Sequence, residues 1–218
     1  MFTGIVQAVG KVQESIRQGA DVRLRIATGK LDLAGVGLGD SIAVSGVCLT
    51  VVALHQEGFS ADVSAETLRC TTFAVLRPDA AVNLETSLTL ATPLGGHLVS
   101  GHVDGVAEVK ERGAVGQSLR YVIEVPAPLA KYIAAKGSIC VDGVSLTVNA
   151  VQGAAFEVNI VPHTLQETTL GTLAVGDRVN VEVDLIARYV ERLLAGDENA
   201  PRGGMSRELL ARQGFIND

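Results

Sequence analysis

Apolar and polar residues alternate over many short stretches of this chain, which is the pattern of β-strands with one buried face. The alternation is plainest in VRLRIAT at 22–28, and SIAVSGVCLTVVAL at 41–54 is rich in β-branched residues. Gly46 interrupts the second stretch and predicts a bulge or a sharp bend. Further strands are predicted at 59–64, 81–90, 118–125, 138–151, 155–161 and 178–185. About six short strands in each half favour a small closed barrel, because closure leaves no exposed strand edge.

Other apolar segments lack this alternation and predict helices. The segments 31–40 and 128–137 each predict one helix, and 66–73 and 163–170 predict short helical turns or loops. The segment 184–199 has apolar residues on one face at helical spacing, namely Leu185, Ile186, Tyr189, Val190, Leu193 and Leu194. This helix either packs on its own barrel or joins subunits. Its predicted end lies at Gly196 and Pro201, and Ser206 would cap a second short helix.

The chain contains the same module twice. Four blocks recur 97 residues later in similar form: GIVQAVGKV (4–12), GVCLTVVA (46–53), TLRCTTF (67–73) and VNLE (82–85). One spacing that serves all four blocks indicates a duplication. The predicted fold class is all-β, with two similar six-stranded barrels in tandem plus a C-terminal α-helix. The predicted domains are residues 1–93, residues 94–187, and a helical oligomerisation segment at 184–218, with a turn near ATPLGGHL (91–98) between the barrels.

Composition narrows the class of protein. Of 218 residues, 47% are apolar and 19% charged, so the chain can build cores and is not expected to be disordered. A net charge of −6 with few aromatic residues makes nucleic-acid binding unfavourable. Neither a membrane span nor a secretory signal is expected. The three widely spaced cysteines favour the reducing cytoplasm over a disulfide framework or a thiolate zinc site.

Familiar catalytic signatures are absent from the sequence. There is no dinucleotide or phosphate-binding glycine motif, no GxSxG and no HExxH. His97 and His102 are five residues apart, which on a strand places them on opposite faces, so no metal site is expected. The two halves match in position but differ in chemistry at several polar sites: Ile5/His102, Gly39/Lys136, Ser45/Asp142, Cys48/Ser145, Asp62/Asn159 and Glu66/His163. We interpret these pairs as two similar pockets with different roles.

The segment GV(C/S)LTV carries the most specific chemistry. The Cys or Ser and the following Thr are two residues apart and face the same side of a strand. Flanked by valines, they can hydrogen-bond a polar heterocycle in an apolar slot. The alternative is that Cys48 and Ser145 are small core residues and that His102 is a structural histidine. Two other cysteines are predicted in cores, and one histidine on a surface loop: Cys70, Cys140 and His55.

Together these motifs resemble the α-type riboflavin synthase family. The resemblance covers nearly all of the chain through MFTGIV, SGVCLTV, GGHLVSGHVDG, VDGVSLTV, NIVPHTLQETTL and VNVEVDLIARYVERLL, each in the expected order. It implies Greek-key barrels and a homotrimer held by the C-terminal helices. It also implies the conversion of two 6,7-dimethyl-8-ribityllumazine molecules into riboflavin and 5-amino-6-(ribitylamino)uracil by four-carbon transfer. Neither a metal nor a redox cofactor is implied, and association with lumazine synthase is a further partner expectation.

The resemblance also implies the site residues. Lumazine contacts fall in the first half on Phe2, Gly4, Ile5, Val6, Cys48, Leu49, Thr50, Asp62, Val63, Ser64, Ala65, Glu66 and Thr67. In the second half they fall on Gly101, His102, Val103, Lys136, Ser145, Leu146, Thr147, Asn159, Ile160, Val161, Pro162, His163 and Thr164. The catalytic candidates are Cys48, His102, Ser145 and Thr147. Among them, only an imidazole, with its ordinary pKa of about 6.5, suits a base at neutral pH. Cys48 is either the attacking nucleophile or part of the pocket wall.

Two departures from the family pattern concern the first pocket. Ser45 stands where the family more often has Asn, and DVSAET (62–67) lacks the proline of the matching PHT turn. Two other functions stay open. A non-catalytic lumazine- or flavin-binding antenna protein would share the fold, but Cys48, His102, Ser145 and the terminal helix favour the enzyme. A flavin domain of a reductase would need a nicotinamide-binding unit, which the sequence does not contain.

Overall fold

The first half of the chain forms a closed antiparallel barrel in the computed structural model, which describes residues 1–195. Its strands are β1 (Ala8–Gln18), β2 (Asp21–Ala27), β3 (Ser41–Val44), β4 (Val47–His55), β5 (Gly58–Val63) and β6 (Ala81–Thr86). Around the barrel they run in the order β1-β2-β5-β4-β3-β6. Because β5 lies beside β2 after the β3–β4–β5 meander, the connection is a Greek key. Helix α1 (Ala65–Cys70) follows β5.

The second half repeats this architecture. Its strands are β7 (Gly105–Val115), β8 (Ser118–Glu124), β9 (Ser138–Val141), β10 (Val144–Gln152), β11 (Ala155–Ile160) and β12 (Arg178–Val183). They close in the equivalent order, and helix α2 (Pro162–Glu167) follows β11 as α1 follows β5. Short 3₁₀ segments lie at Thr72–Val75, Ala127–Tyr132 and Thr169–Thr172. The fold class predicted from the sequence is confirmed, with helix α3 (Leu185–Ala195) after the second barrel.

Alternating side chains fill each barrel. Along β4 and β10 every second side chain points into the barrel core, and the side chains between them point outward. Each barrel has a register shift in its first strand, between Val12 and Glu14 and between Val109 and Glu111. Such bulges bend a strand and let a small barrel close. The bulges recur 97 residues apart, which agrees with the duplication.

Three local predictions need correction. The segment 31–40 is not a helix but a series of turns, since Gly35, Gly37 and Gly39 disfavour helix and Gly39 adopts a φ of +90°. The segment 128–137 is helical only in its first five residues, which belong to the 3₁₀ helix at Ala127–Tyr132, and the residues after Tyr132 form no helix. Cys70 is half-buried on α1 rather than in a core, whereas Cys140 is buried as predicted. Gly46 forms the predicted sharp bend, a turn between β3 and β4 with a φ of +81°.

The two barrels contact each other through reciprocal hydrogen bonds. The Asn83 Nδ2 group donates to the Asp142 carbonyl at 2.8 Å, and Asn180 Nδ2 donates to the Ser45 carbonyl at 2.9 Å. In return, Asn83 Oδ1 and Asn180 Oδ1 each accept a backbone N–H at 2.8 Å from the 3₁₀ segment of the opposite barrel. Each contact recurs with the halves exchanged, so the barrels are related by an approximate two-fold axis.

Helix α3 packs on the second barrel by its polar face. Glu191 contacts Lys131 and Tyr132, and Arg188 forms an ion pair with Asp104. The apolar side chains of α3 are mostly exposed, with Leu193 at 80%. The predicted features at Gly196, Pro201 and Ser206 lie outside the described residues. Within residues 1–195, no helix is long and apolar enough to cross a membrane.

The last strand of the first barrel ends at Thr86, and the first strand of the second barrel begins at Gly105. The predicted boundary between residues 93 and 94 lies in the connection between these two strands. The boundary between residues 93 and 94 therefore stays a prediction.

Candidate functional site

The segment before each barrel packs against the other barrel: the N-terminal segment before β1 contacts the second barrel, and the linker before β7 contacts the first barrel. Gly4 lies against the second barrel, where its carbonyl accepts the Ser145 N–H at 2.7 Å. Gly101 lies against the first barrel, where its carbonyl accepts the Cys48 N–H at 2.8 Å. Val6 packs on the second core and Val103 on the first. The residues predicted around each pocket therefore come from both halves of the sequence.

Glycine is required at both crossing points. Gly4 and Gly101 have φ values of +73° and +81°, and a Cβ on either would lie 2.6 Å from the Cβ of Ser145 or Cys48. Real Cβ atoms do not approach so closely, so any side chain would push the segment off the barrel. The two segments also bond to each other, since Phe2 and Val99 exchange backbone hydrogen bonds at 2.7 and 3.1 Å.

Two buried glutamates, which the sequence analysis missed, hold these crossing segments. Glu85 accepts the backbone N–H groups of Thr3 at 2.6 Å and Gly4 at 3.0 Å, and Thr3 Oγ1 at 2.6 Å. Glu182 accepts the equivalent groups of Ser100 and Gly101 at 2.6–2.9 Å. Burial raises the pKa of Glu85. Both glutamates end the repeated VN(L/V)E block, and that repetition is the signal that could have found them.

The first candidate site lies along β4 and the start of α1. Cys48 is half-buried and Thr50 is exposed on the same side of β4, as the alternation predicted. The Asp62 carboxylate forms two hydrogen bonds with Arg23, at 2.7 and 2.8 Å, and these lower its pKa. Ser64 caps α1 by accepting the Thr67 N–H at 3.1 Å.

At the start of α1, Ala65 and Glu66 are both exposed. The Arg69 guanidinium, with a further hydrogen bond from Cys70, lowers the pKa of Glu66 to about 2. Ala65 N–H donates to Asp21 at 2.8 Å. Glu66 is therefore an anion at neutral pH, already paired with a cation.

The second candidate site lies at the equivalent place on β10 and α2. Ser145 is half-buried and Thr147 exposed. Lys136 is exposed at a φ of +68°, and its backbone N–H bonds to the Val148 carbonyl at 2.7 Å. Asn159, Val161 and His163 are exposed, and Pro162 and Thr164 are half-buried in the first turn of α2.

Four of the predicted contact residues have buried side chains. Leu49, Val63 and Ile160 belong to the barrel cores, and Phe2 is 0% exposed in a separate cluster that touches Cys48. Leu146 packs against the second core from a half-buried position. Leu49, Val63 and Ile160 can therefore offer a ligand only their backbone groups. The buried ring of Phe2 belongs to the cluster against which Cys48 packs.

His102 is exposed at the edge of a cavity of about 260 Å³, whose other walls include Val103, Leu185 and Arg188. Ile5, its counterpart in the first half, is also exposed. His97 and His102 do not lie on one strand, so the parity expected from the sequence does not apply. His55 lies at the end of β4, where its Nε2 is 2.8 Å from Ser60 Oγ. A cleft of about 560 Å³ beside His55 contains none of the candidate residues.

His97 is the third residue that the sequence analysis did not assign to the site. Its Nδ1 lies 2.6 Å from Ser145 Oγ, the hydroxyl proposed from the GVSLTV segment. The GGH turn of the linker brings it there, and no repeat signal marks it. Among the described residues, no group of three or more His, Cys, Asp or Glu side chains could hold a metal ion.

Comparisons with known proteins identify this architecture. The family model described as the lumazine binding domain matches residues 3–87 and 100–184, so the chain contains two lumazine-binding domains. The chain is 49% identical over 217 residues to the riboflavin synthase of Photobacterium phosphoreum, covering 99% of this chain and 100% of the relative. It is 37% identical over 216 residues to the riboflavin synthase of Bacillus subtilis (strain 168), again covering 99% and 100%. The chain belongs to the riboflavin synthase family.

Solved structures show the same fold. LumP complexed with riboflavin superposes with a TM-score of 0.78 at 30% identity, covering 84% of this chain and 99% of that one. LumP complexed with 6,7-dimethyl-8-(1'-D-ribityl) lumazine superposes with a TM-score of 0.75 at 30% identity and the same coverage. The resemblance inferred from the sequence motifs is therefore confirmed at the level of family and fold.

Proposed function

We propose that each barrel of this chain binds one molecule of 6,7-dimethyl-8-ribityllumazine and that the protein transfers a four-carbon unit from one to the other, giving riboflavin and 5-amino-6-(ribitylamino)uracil. The observation that carries the proposal is the pair of equivalent sites with unequal chemistry. Cys48 and Ser145 occupy the same place in the two barrels, on strands paired in the same register. Two copies of one substrate need two similar sites, and their different fates need sites that differ.

The chemistry follows from the substrate. The 7-methyl group of the lumazine is acidic because its carbanion delocalises into the ring, so a base must take one proton from it. A nucleophile or water must add at ring carbon 7 of the other molecule. Cys48, His102, Ser145 and Thr147 are the proposed groups for these two steps. Holding the two rings together gives the largest lowering of the activation barrier, up to about 7–11 kcal/mol. General acid–base catalysis increases the rate by a further factor of roughly 10²–10⁴.

The remaining proposed contacts surround these four groups. The exchanged segments are proposed to contribute backbone atoms, from Gly4, Ile5, Val6, Gly101 and Val103. Side chains or backbone of the first turn after β5 and β11 form the far wall, with Asp62, Ser64, Ala65, Glu66 and Thr67 in one barrel and Asn159, Val161, Pro162, His163 and Thr164 in the other. Thr50, Lys136 and Leu146 are further proposed side-chain contacts. Leu49, Val63 and Ile160 are proposed to contribute backbone groups, and Phe2 packs against Cys48.

The reaction site is proposed to form between subunits, where the first barrel of one meets the second barrel of a neighbour. Support comes from α3, whose polar residues Arg188 and Glu191 contact their own barrel while its apolar face is exposed. An exposed apolar helix face is typical of a protein interface. We propose that three copies of α3 join a homotrimer through the face formed by Ile186, Tyr189, Val190, Leu193 and Leu194.

Purified protein mixed with 6,7-dimethyl-8-ribityllumazine tests the activity. We expect riboflavin absorbance to appear at one riboflavin for every two lumazines consumed. The variants Cys48→Ser and Ser145→Cys each make the two sites alike at this position, and both should slow turnover. Tight lumazine binding with no riboflavin would instead support the antenna function. This function is the second candidate, because structures similar to this chain bind riboflavin or the lumazine. Wild-type rates in both variants would refute the role given to this asymmetry.

Analytical ultracentrifugation tests the trimer. Placing charge on the exposed face with Val190→Asp and Leu193→Asp should convert trimers to monomers and abolish activity. Arg192→Asp puts the same charge on the same helix outside the apolar face and is the matched control. An intact trimer in the doubly substituted protein would contradict this use of α3.

Two further expectations stay proposals. A cytoplasmic location is proposed from the free cysteines Cys48, Cys70 and Cys140, and cell fractionation tests it. Association with lumazine synthase is proposed from the family resemblance alone, and co-purification of the two proteins tests it.

A further inference from the structure

The linker between the barrels delivers a histidine to the second site. His97 follows the turn Gly95–Gly96, and its Nδ1 lies 2.6 Å from Ser145 Oγ. Its backbone N–H donates to the Thr3 carbonyl at 3.1 Å, which ties the linker to the N-terminal segment. The distance is that of a short, well-formed hydrogen bond. His97 is half-buried, so water competes little for this contact.

Backbone packing leaves the Ser145 hydroxyl little freedom. Gly4 lies against Ser145 on one side, and Gly96 lies so close on another that a Cβ there would sit 2.8 Å from Ser145 Cβ and 2.2 Å from the Thr3 carbonyl oxygen. Among the described residues, His97 is the one hydrogen-bond partner of Ser145 Oγ. Because Gly96 has no side chain, the linker can pass close to Ser145 and bring His97 within hydrogen-bond distance of its hydroxyl.

The protonation state of His97 decides what the contact does. Burial lowers the pKa of His97, and the carboxylate of Asp184, at the start of α3, opposes this effect. Near neutral pH the imidazole is therefore uncharged and has one ring nitrogen that can accept a proton. When Nδ1 accepts, Ser145 donates its only proton to His97, and the lone pairs of Oγ stay available to a ligand.

We propose that His97 is a positioning residue for the four-carbon transfer: it accepts the Ser145 hydroxyl proton in a hydrogen bond and so presents Oγ to the bound lumazine as an acceptor. This inference rests on the proposed function and deepens it. The first site has no equivalent, because the described residues give Cys48 Sγ no hydrogen-bond partner. His97 therefore adds to the chemical difference between the two sites.

A double-mutant cycle tests this coupling. His97→Ala should lower kcat roughly tenfold, the size of one net hydrogen bond expressed as a rate, while lumazine affinity changes little. If His97 acts through Ser145, His97→Ala should have no further effect in a Ser145→Ala background. Multiplying effects in the double variant would refute the coupling. His97→Asn, whose amide oxygen can replace Nδ1 as the acceptor, should recover most of the rate.

The pH profile separates a chemical role from a structural one. In the wild type, kcat/KM should fall as the pH drops through a value below about 6.5, because protonated His97 can no longer accept from Ser145. The proposed base His102 can give an acidic limb of its own, so the test compares the two profiles: the limb of His97→Asn should lie at a different pH from that of the wild type. An unchanged limb in that variant would overturn the proposal, even if the rate itself were lower.

His55→Ala is the matched control. It removes a histidine–serine hydrogen bond of similar length, 2.8 Å to Ser60, from a hairpin outside both sites. Its rate should equal that of the wild type, and circular dichroism should show all variants folded. If the wild type itself forms no riboflavin, the proposed function fails. If the wild type is active and His97→Ala is equally active, only the role of His97 fails.

Discussion

Asp142 is an ionisable side chain buried at the contact between the two barrels, and replacing it by Asn should change how stability depends on pH. It lies in the β9–β10 turn with a φ of +44°, and its Oδ1 accepts the Asn180 N–H at 2.7 Å. Burial raises its pKa from 3.8 to about 7, although the hydrogen bond from Asn180 opposes the shift. The equivalent residue, Ser45, carries no charge.

The sign of the effect follows from proton binding. Between pH 3.8 and about 7 the unfolded chain has released the Asp142 proton while the folded protein retains it. The unfolded state then binds fewer protons, so the free energy of unfolding falls as the pH rises across this window. Three pKa units correspond to a loss of up to about 4 kcal/mol at pH 8. Below the window both states are protonated, and this contribution is constant.

Asp142→Asn keeps the oxygen that accepts from Asn180 and removes the charge, and Asn tolerates a positive φ. Urea unfolding from about pH 4 to pH 8 should show little difference at the acidic end and a variant more stable by up to about 4 kcal/mol at the basic end. Asp79→Asn, at a φ of +69° on the exposed surface, is the control and should show no such trend. A stability difference that is the same at both ends would refute the reasoning.

Two substitutions at buried positions test one close packing contact and one buried hydrogen bond. Gly143→Ala should destabilise the protein by about 3 kcal/mol or more, because a Cβ there would lie 2.8 Å from the Gly46 nitrogen in addition to the strain of a positive φ. Gly153→Ala, also at a positive φ but in open space, should cost only about 1–2 kcal/mol, and equal losses would contradict the clash. Tyr121→Phe should cost about 1–2 kcal/mol in thermal unfolding, because its buried hydroxyl donates to the Leu170 carbonyl at 2.8 Å. An unchanged melting temperature would contradict that value of the bond.

The sequence was sufficient for those parts of the fold that depend on local pattern and on the repeat. Alternation predicted the strands around Cys48 and Ser145. The fixed spacing of the repeat predicted that each half forms its own barrel with the same fold. The segment 31–40 failed because its apolar residues suggested a helix face, while three glycines remove the helical preference and allow the turn at Gly39. The spacing of apolar residues therefore does not predict a helix where several glycines give the backbone this freedom.

The site was predicted less completely, because its parts meet through contacts between distant residues. Periodicity on β10 predicted that Ser145 and Thr147 share a face, but it could not predict that Gly4 and His97 would lie against Ser145. Those contacts depend on the path of the linker and on the buried carboxylates of Glu85 and Glu182, which fix the crossing segments. A strand pattern contains no information about where a non-repetitive linker packs.

The exchange of segments also limits how far the two halves can act as separate modules. A fragment ending at residue 97 would retain β1–β6. It would lack the Gly101 carbonyl that accepts the Cys48 N–H, and it would lack Val99, which forms an isolated antiparallel bridge with Phe2. Phe2 and Cys48 belong to one cluster whose other members come largely from the second half. A duplicated sequence therefore produces a pair of barrels in which each candidate site is completed by the other half, and the linker that makes this exchange possible also places His97 beside Ser145.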